Sequence, residues 1–168
     1  MRKILLIILI LTFGNTFSQK TVDLRDIYTE EGLTYSSNDN KLFSGKAQHI
    51  RKNGHLVYEE YFEDGKLTKT ITYYNGTDEP TPSTITEYYI GTDNKKTTTN
   101  YGLKKPTVEF VHYDQNGNRT LIERFEDENL IYRCEFQNNR KHGIEFCLDN
   151  NGEELRIEYE NGKKVKKA

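Results

Sequence analysis

Asparagine or aspartate followed by glycine divides the first half of the chain at a regular interval. Three such pairs have their glycines eleven residues apart: Asn53-Gly54, Asp64-Gly65 and Asn75-Gly76. Both central residues of a type I′ turn need positive φ, so these dipeptides are the strongest short-range signals for a β-hairpin. The intervening runs are rich in tyrosine, threonine and isoleucine and fit strands of about seven or eight residues. The segment 49–75 therefore predicts consecutive antiparallel hairpins.

The same pattern returns sixty-three residues later, where 112–138 aligns with 49–75. The matched positions are His49 with His112, Asn53-Gly54 with Asn116-Gly117, Glu60 with Glu123, Phe62-Glu63-Asp64 with Phe125-Glu126-Asp127, Leu67 with Leu130, and Asn75 with Asn138. These identities fall on turns, on strand-end aromatic residues and on residues that restart a strand. They therefore indicate a structural repeat.

Turn signals continue to the C-terminus, and the last strands alternate with a period of two. Leu155, Ile157 and Tyr159 stand between charged residues, as expected for a strand with one buried and one wet face. No segment after the N-terminal apolar run has a sustained period of 3.6 residues. We therefore predict an all-β fold in which repeated antiparallel β-hairpins form an open, twisted meander sheet with almost no helix. Charge is expected to protect the sheet edges, a role that suits the lysine-rich segment 163–167.

The first eighteen residues have the pattern of an export signal. Arg2 and Lys3 precede an apolar run of ten residues, 4–13, and small side chains follow at Thr16 and Ser18. The run is too short to span a bilayer, which needs about 20 residues. We predict cleavage near Ser18 and export to the periplasm or the outside, with no transmembrane span after cleavage. An uncleaved anchor is the alternative.

The remaining chain has the size of one domain. We predict a signal peptide, a lead-in segment and a single β-hairpin repeat domain with one long, proline-containing loop: 1–18, 19–40, 41–168 and 76–83, respectively. Loss of Arg2 and Lys3 with the leader leaves 22 basic and 26 acidic side chains, a net charge of −4. That balance disfavours nucleic acid as a partner.

Residues that could carry chemistry do not form a recognised catalytic or metal motif. The four histidines, His49, His55, His112 and His142, lack the usual spacing of zinc ligands, and no serine stands in a Gly-x-Ser-x-Gly elbow. The pair Glu59-Glu60 and the turn acids Glu63-Asp64 and Glu126-Asp127 could serve glycoside hydrolysis, but solvated turn acids are the simpler interpretation. We predict a protein that is not an enzyme, with no catalytic residue, no metal and no cofactor.

The two cysteines leave the question of a disulfide open. In an exported protein, Cys134 and Cys147 could form one bridge. The simplest register places Cys134 on the same face as Phe136 and Cys147 on the face opposite Phe146, so that the thiols point apart. A shift of one residue in the turn between the strands would bring them together.

Two tyrosine doublets are the candidate partner-binding residues: Tyr73, Tyr74, Tyr88 and Tyr89. One member of each doublet must face outward from its strand, and exposed aromatic residues often anchor a partner. The alternative is that a thin sheet pairs these rings across strands for stability.

Short units with an aromatic residue, Asn/Asp-Gly and a following strand resemble a MORN repeat variant of bacterial proteins labelled YwqK-family antitoxins. The units are 61–67, 73–76 and 136–143, with an opening Leu42-Phe43-Ser44-Gly45-Lys46. The resemblance covers about 33–164, although 77–105 departs from it and Glu128 and Asn139 replace turn glycines. It implies a repeated hairpin sheet that serves as a binding or scaffolding surface, without catalytic residues.

We therefore expect an exported, non-enzymatic repeat protein that presents a β-sheet surface to a protein or cell-envelope partner. The alternative is an antitoxin or immunity protein that neutralises a toxin partner. An unrecognised hydrolase is the third hypothesis.

Overall fold

The structure, a computed structural model, describes residues 20–149 and 151–165, so the predicted signal peptide, 1–18, lies outside it. The described residues form strands, turns and one 3₁₀ turn at Leu24–Asp26, which confirms the predicted all-β class. The strands are Thr21–Asp23 (β1), Ile27–Glu30 (β2), Leu33–Ser36 (β3), Gly45–Ile50 (β4), Leu56–Glu63 (β5), Lys66–Tyr73 (β6), Pro82–Tyr88 (β7), Lys95–Tyr101 (β8), Thr107–Tyr113 (β9), Arg119–Glu126 (β10), Asn129–Gln137 (β11), Arg140–Leu148 (β12), Glu154–Glu160 (β13) and Lys163–Lys164 (β14).

Twelve of these strands form one long sheet. From β4 to β14 every strand pairs antiparallel with the next strand in sequence, and β1 pairs in parallel with β4 at one end. β1 and β14 do not pair with each other, so the sheet is an open meander, as predicted. The last edge strand consists of two lysines, which fits the expected protection of that edge by charge.

Directly opposed residues of neighbouring strands share a face of the sheet. We name one face the Glu59 face; its central row is Gln48, Glu59, Ile71, Ile85, Thr99, Phe110, Glu123, Arg133, Phe146 and Arg156. We name the other the Ala47 face; its central row is Ala47, Glu60, Thr70, Thr86, Thr98, Val111, Ile122, Cys134, Glu145 and Ile157.

The two predicted repeats have the same register. Phe62 lies opposite Leu67, Phe125 lies opposite Leu130, and the register shifts immediately before each phenylalanine. Five antiparallel pairings separate β4 from β9, so these equivalent strands run in opposite directions. The strand order along the sheet is the same in both repeats, so a half-turn about the long axis relates them. Such a half-turn exchanges the faces: Phe62 lies on the Ala47 face and Phe125 on the Glu59 face.

The lead-in segment builds a second layer at one end of the sheet. β2 and β3 form a hairpin, and the Thr34 N–H donates to the Gly65 carbonyl at 2.8 Å while the Phe43 N–H donates to the Thr34 carbonyl at 2.9 Å. Beneath this layer Phe43, Ala47 and Phe62 are buried, with Phe43 only 2% exposed. Three aliphatic side chains of the lead-in segment pack against them: Val22, Leu24 and Ile27.

Beyond this end the sheet is thin. Only six hydrophobic side chains of the described residues are buried, and Phe43, Ala47 and Phe62 are three of them. The middle of the Ala47 face instead buries threonines, and the Tyr88 hydroxyl folds back to within 3.5 Å of the Thr70 hydroxyl. Side chains of one layer therefore shield each other.

Several predicted boundaries are refined by the structure. The lead-in segment contains three short strands and a single 3₁₀ turn. The loop predicted at 76–83 ends earlier, because Pro82 begins β7, a position where its missing N–H is tolerated. Residues 20–149 and 151–165 contain no α-helix of the length and hydropathy that a membrane crossing requires.

Gly65→Ala tests the covering layer. Gly65 and Gly54 both have positive φ, but a Cβ at Gly65 would lie 2.8 Å from Leu42 Cδ2 and 2.9 Å from the Thr34 carbonyl oxygen, whereas a Cβ at Gly54 meets no atom within 4 Å. We expect the left-handed backbone to cost both alanine variants about 1 kcal/mol. Gly65→Ala should lose roughly a further 1–3 kcal/mol to crowding. Urea unfolding measures both, and equal losses would contradict the covering contact.

Candidate functional site

Glu59 is the centre of the most completely bonded polar cluster on the Glu59 face. Its side chain is 3% exposed and accepts four hydrogen bonds at 2.6–2.9 Å, from Lys46 Nζ, Gln48 Nε2, Tyr61 Oη and Tyr73 Oη. Burial by itself raises the pKa of Glu59, but these donors outweigh it and lower the pKa to about 2. Lys69 Nζ lies 4.0 Å from the centroid of the Tyr61 ring at the edge of the cluster. Glu59 is thus a framework residue that its donors hold in the charged form at neutral pH.

Glu60, the next residue, points to the opposite face and has a different environment. It accepts one hydrogen bond, from Tyr58 Oη at 3.2 Å, and burial raises its pKa more than that bond lowers it. Its side chain lines a cleft of about 510 Å³ between the β2–β3 hairpin and the sheet, together with Thr34 and Lys66. Because Glu59 and Glu60 lie on opposite faces, they cannot flank one glycosidic bond, the arrangement that the sequence had left possible.

The four predicted partner-binding tyrosines do not form one surface. Tyr73 lies on the Glu59 face, where its hydroxyl donates to Glu59, and Tyr88 lies on the Ala47 face beside Thr70. Tyr74 and Tyr89 follow the ends of β6 and β7, and their hydroxyls donate to main-chain carbonyls two strands away, those of Tyr101 and Tyr113. All four rings are half-buried. The hydroxyls of Tyr74 and Tyr89 thus link the ends of non-adjacent strands. The role of the four tyrosines in partner binding stays a prediction.

The positions of two histidines follow from the repeat and not from a shared site. His49 and His112 occupy equivalent positions and therefore lie on opposite faces. His112 Nε2 lies 3.7 Å from Glu123 Oε2, and Arg133 Nε lies 3.5 Å from the other oxygen of that carboxylate. Within the described part of the chain no three histidine, cysteine or acidic side chains are grouped to hold a metal ion.

The predicted orientation of the cysteines is wrong. Cys134 lies opposite Glu145, and Cys147 lies opposite Tyr132, so both thiols are on the Ala47 face. The cause is the turn: Gln137 pairs with Arg140, so the even-numbered residues of β11 share a face with the odd-numbered residues of β12, and the later register shift between Cys134 and Phe136 moves the pairing by two residues and keeps that match. Both cysteines are free, and they lie diagonally rather than directly opposite each other.

The second repeat has an open apolar groove on the Glu59 face, which we name the Phe110 groove. It has a volume of about 730 Å³, and its lining includes Pro106, Val108, Phe110, Phe125, Asp127 and Glu128. The Phe110 and Phe125 rings meet edge to face with centroids 5.9 Å apart. Both rings are half-buried, and the two acids are exposed on the turn between β10 and β11.

The equivalent groove of the first repeat is covered. There Phe62 meets Phe43 edge to face at 5.8 Å, and the lead-in segment packs on the pair. Phe43 corresponds to Pro106, and the fully buried Ala47 corresponds to Phe110. The second repeat thus has an aromatic ring on strand β9 itself, at Phe110, whereas the first repeat has its ring at Phe43, in the segment before strand β4.

The turn beside each groove records the same difference. Asp64-Gly65 and Asp127-Glu128 share positive φ at both residues, so the turn type is kept although glutamate replaces glycine. A side chain at Gly65 would collide with the covering layer, and Glu128 stands where that layer is missing. This asymmetry was not predicted, although the replacement of the turn glycine by Glu128 was its visible signal in the sequence.

Comparison with family models, with curated proteins and with solved structures finds no match to this chain.

Glu59→Gln and Glu60→Gln form a matched pair for stability measurements. The pKa of Glu59 is lowered in the folded state, so its stabilisation is present above about pH 5 and disappears as the pH falls towards 2. A shift to about 2 corresponds to about 3 kcal/mol. Glu59→Gln should therefore lower the free energy of unfolding at pH 7 by roughly 2–3 kcal/mol and flatten its rise between pH 2 and 5.

Glu60→Gln is expected to behave in the opposite way. The pKa of Glu60 is raised by burial, so ionisation destabilises the fold as the pH rises through and above its ordinary range. At pH 7 the substitution should leave stability unchanged or raise it. Chemical denaturation across the pH series measures both variants, and a loss at pH 7 from Glu60→Gln as large as that from Glu59→Gln would contradict the assignment.

The cysteines are distinguished by a thiol titration. Cys134 is 1% exposed and burial raises its pKa, whereas Cys147 is half-buried. Without reductant, a chromogenic disulfide reagent should modify Cys147 in the native protein and both thiols after unfolding. A Cys147→Ser variant should show almost no native reaction. Absence of thiol reaction after unfolding would instead demonstrate a disulfide.

Proposed function

We propose that the chain is an exported, non-enzymatic, MORN-like binding module that presents the Glu59 face of its second repeat to a protein or cell-envelope partner. The observation that carries the proposal is the asymmetry between the repeats. The first repeat covers its aromatic pair with the lead-in segment, and in the second Phe110 and Phe125 line an open groove.

Two further exposed apolar side chains lie on the same face. Ile144 and Leu148 of β12 are on the Glu59 face and are 44% and 36% exposed. β11 stands between them and the groove and carries the ion pair of Arg133 with Glu135 at 2.7 Å. At the groove itself, the acids Asp127 and Glu128 flank the apolar residues. An apolar centre with charged residues at its edge is typical of a protein interface.

The polar clusters support a binding role over catalysis. Glu59 is held charged by four donors, and Glu145 accepts hydrogen bonds from Tyr132 Oη and Lys141 Nζ in a comparable cluster on the Ala47 face. Each oxygen of the Glu59 carboxylate accepts from two protein donors, which leaves it little capacity to bond a substrate, whereas both donors to Glu145 reach its Oε1. These clusters stiffen the sheet, and a rigid sheet loses little conformational entropy when a partner binds.

An affinity capture with face-specific variants tests the proposal. The bait is the chain 19–168, immobilised and exposed to envelope and secreted fractions of its own host. Leu148 and Leu155 are exposed leucines on adjacent strands but on opposite faces, so Leu148→Glu and Leu155→Glu are matched. We expect a stoichiometric partner that Leu155→Glu retains and Leu148→Glu loses.

Three outcomes decide between the hypotheses. Loss of the partner with Leu155→Glu but not with Leu148→Glu would move the site to the Ala47 face and contradict the proposal. Absence of any partner from both fractions would also contradict it. A captured protein whose own toxicity is relieved by the bait would favour the antitoxin alternative.

A further inference from the structure

The Phe110 groove combines an apolar floor with unpaired negative charge. Val108, Phe110 and Phe125 supply the floor. At the rim, Asp127 and Glu128 are in none of the ion pairs formed by the described residues, whereas the neighbouring Glu126, which does not line the groove, is 3.5 Å from Lys105 Nζ. The groove therefore favours a ligand that has aliphatic side chains and at least one positive charge.

The first repeat shows what such a groove accepts. The segment that covers it carries aliphatic side chains at Val22, Leu24 and Ile27, which pack against the Phe43 cluster. The same segment places Lys20 Nζ 6.0 Å from the centroid of the Phe43 ring, in a groove that also includes Glu63 and Asp64. Aliphatic packing, a lysine near an aromatic ring and two acids thus already occur together in this molecule.

No described segment of the chain can take that place in the second repeat. β9 is paired on both sides, by β8 and β10, so no strand can be added there as β1 is added to β4. The groove is therefore open only to side chains approaching from above the Glu59 face. Glu128, unlike Gly65, leaves a side chain at the rim where an incoming basic residue would contact it.

We infer that the Phe110 groove binds a short segment of another protein that carries two or three closely spaced aliphatic residues flanked by lysine or arginine. The inference rests on the proposed function and deepens it, because it names the chemistry of the partner. The aliphatic side chains lie on Phe110 and Phe125, and the basic residue pairs with Asp127 and Glu128.

A designed peptide provides the probe. The fluorescein-labelled octapeptide KTVNLRNI keeps the aliphatic and basic residues of the covering segment 20–27 and replaces its two aspartates by asparagine. The control peptide ETVNLENI reverses both basic residues. Fluorescence anisotropy with the chain 19–168 should give saturable binding of the first peptide, weakened by salt, and no saturable binding of the second.

Two variants locate the peptide. Phe110→Ala places in β9 the residue that the first repeat has at Ala47, and should weaken binding by on the order of tenfold. Asp127→Asn/Glu128→Gln should weaken it by roughly threefold to tenfold and remove most of the salt dependence. The matched control is Asp78→Asn/Glu79→Gln, an exposed acidic pair in a loop outside the groove, which should leave binding unchanged. Urea unfolding confirms that each variant is folded.

The inference is overturned if KTVNLRNI does not bind, or if its binding survives both groove variants. Sedimentation velocity covers the remaining occupant: a dimer that Phe110→Ala dissociates would show that a second copy fills the groove instead. A partner captured through Leu148 together with no peptide binding would leave the proposed function in place and reject only this inference.

Discussion

Most of the sheet has no second layer, and this constraint shapes the rest of the molecule. Main-chain hydrogen bonds are satisfied within the sheet, but each central row of side chains must be shielded by its own neighbours. On the Ala47 face the row contains threonines and Cys134, over which longer side chains such as Tyr88 fold back. On the Glu59 face, lysine and tyrosine donors surround Glu59. At these positions of the thin sheet, aromatic and charged side chains thus cover the side chains of the central rows.

The covering hairpin relieves this constraint at one end only. There Phe43, Ala47 and Phe62 form the one cluster of buried hydrophobic residues that lies between two layers within residues 20–149 and 151–165. The differences between the repeats follow from this cover. The first repeat has Gly65 where the cover contacts the turn and Ala47 beneath the cover. The second repeat, which has no cover, has Glu128 and Phe110 at the equivalent positions. The apolar groove and its acidic rim are consequences of a missing cover rather than independent features.

The turn dipeptides and the sixty-three-residue repeat were sufficient to predict the class, the meander and the boundaries of the central strands. They could not separate the roles of Glu59 and Glu60, because that difference comes from Lys46 and Tyr73 on neighbouring strands. Alternation also failed for the cysteines, since the register of β12 is set at the turn, where Gln137 pairs with Arg140, and the alternation within each strand does not define that pairing. The hydrogen-bond partners of Tyr74 and Tyr89 could not be predicted, because the main-chain carbonyls that their hydroxyls reach are two strands away.

The odd number of strands in the repeat unit determines on which sides of the sheet partners can bind. Because equivalent surfaces of the two repeats face opposite sides of the sheet, two ligands bound in equivalent grooves would lie on opposite faces and would not overlap. A chain lengthened by the same five-strand unit would present its third groove on the side of the first. A six-strand unit would instead line up every groove along one side and favour a single elongated ligand. The parity of the strand count therefore decides between a two-sided adaptor and a one-sided track.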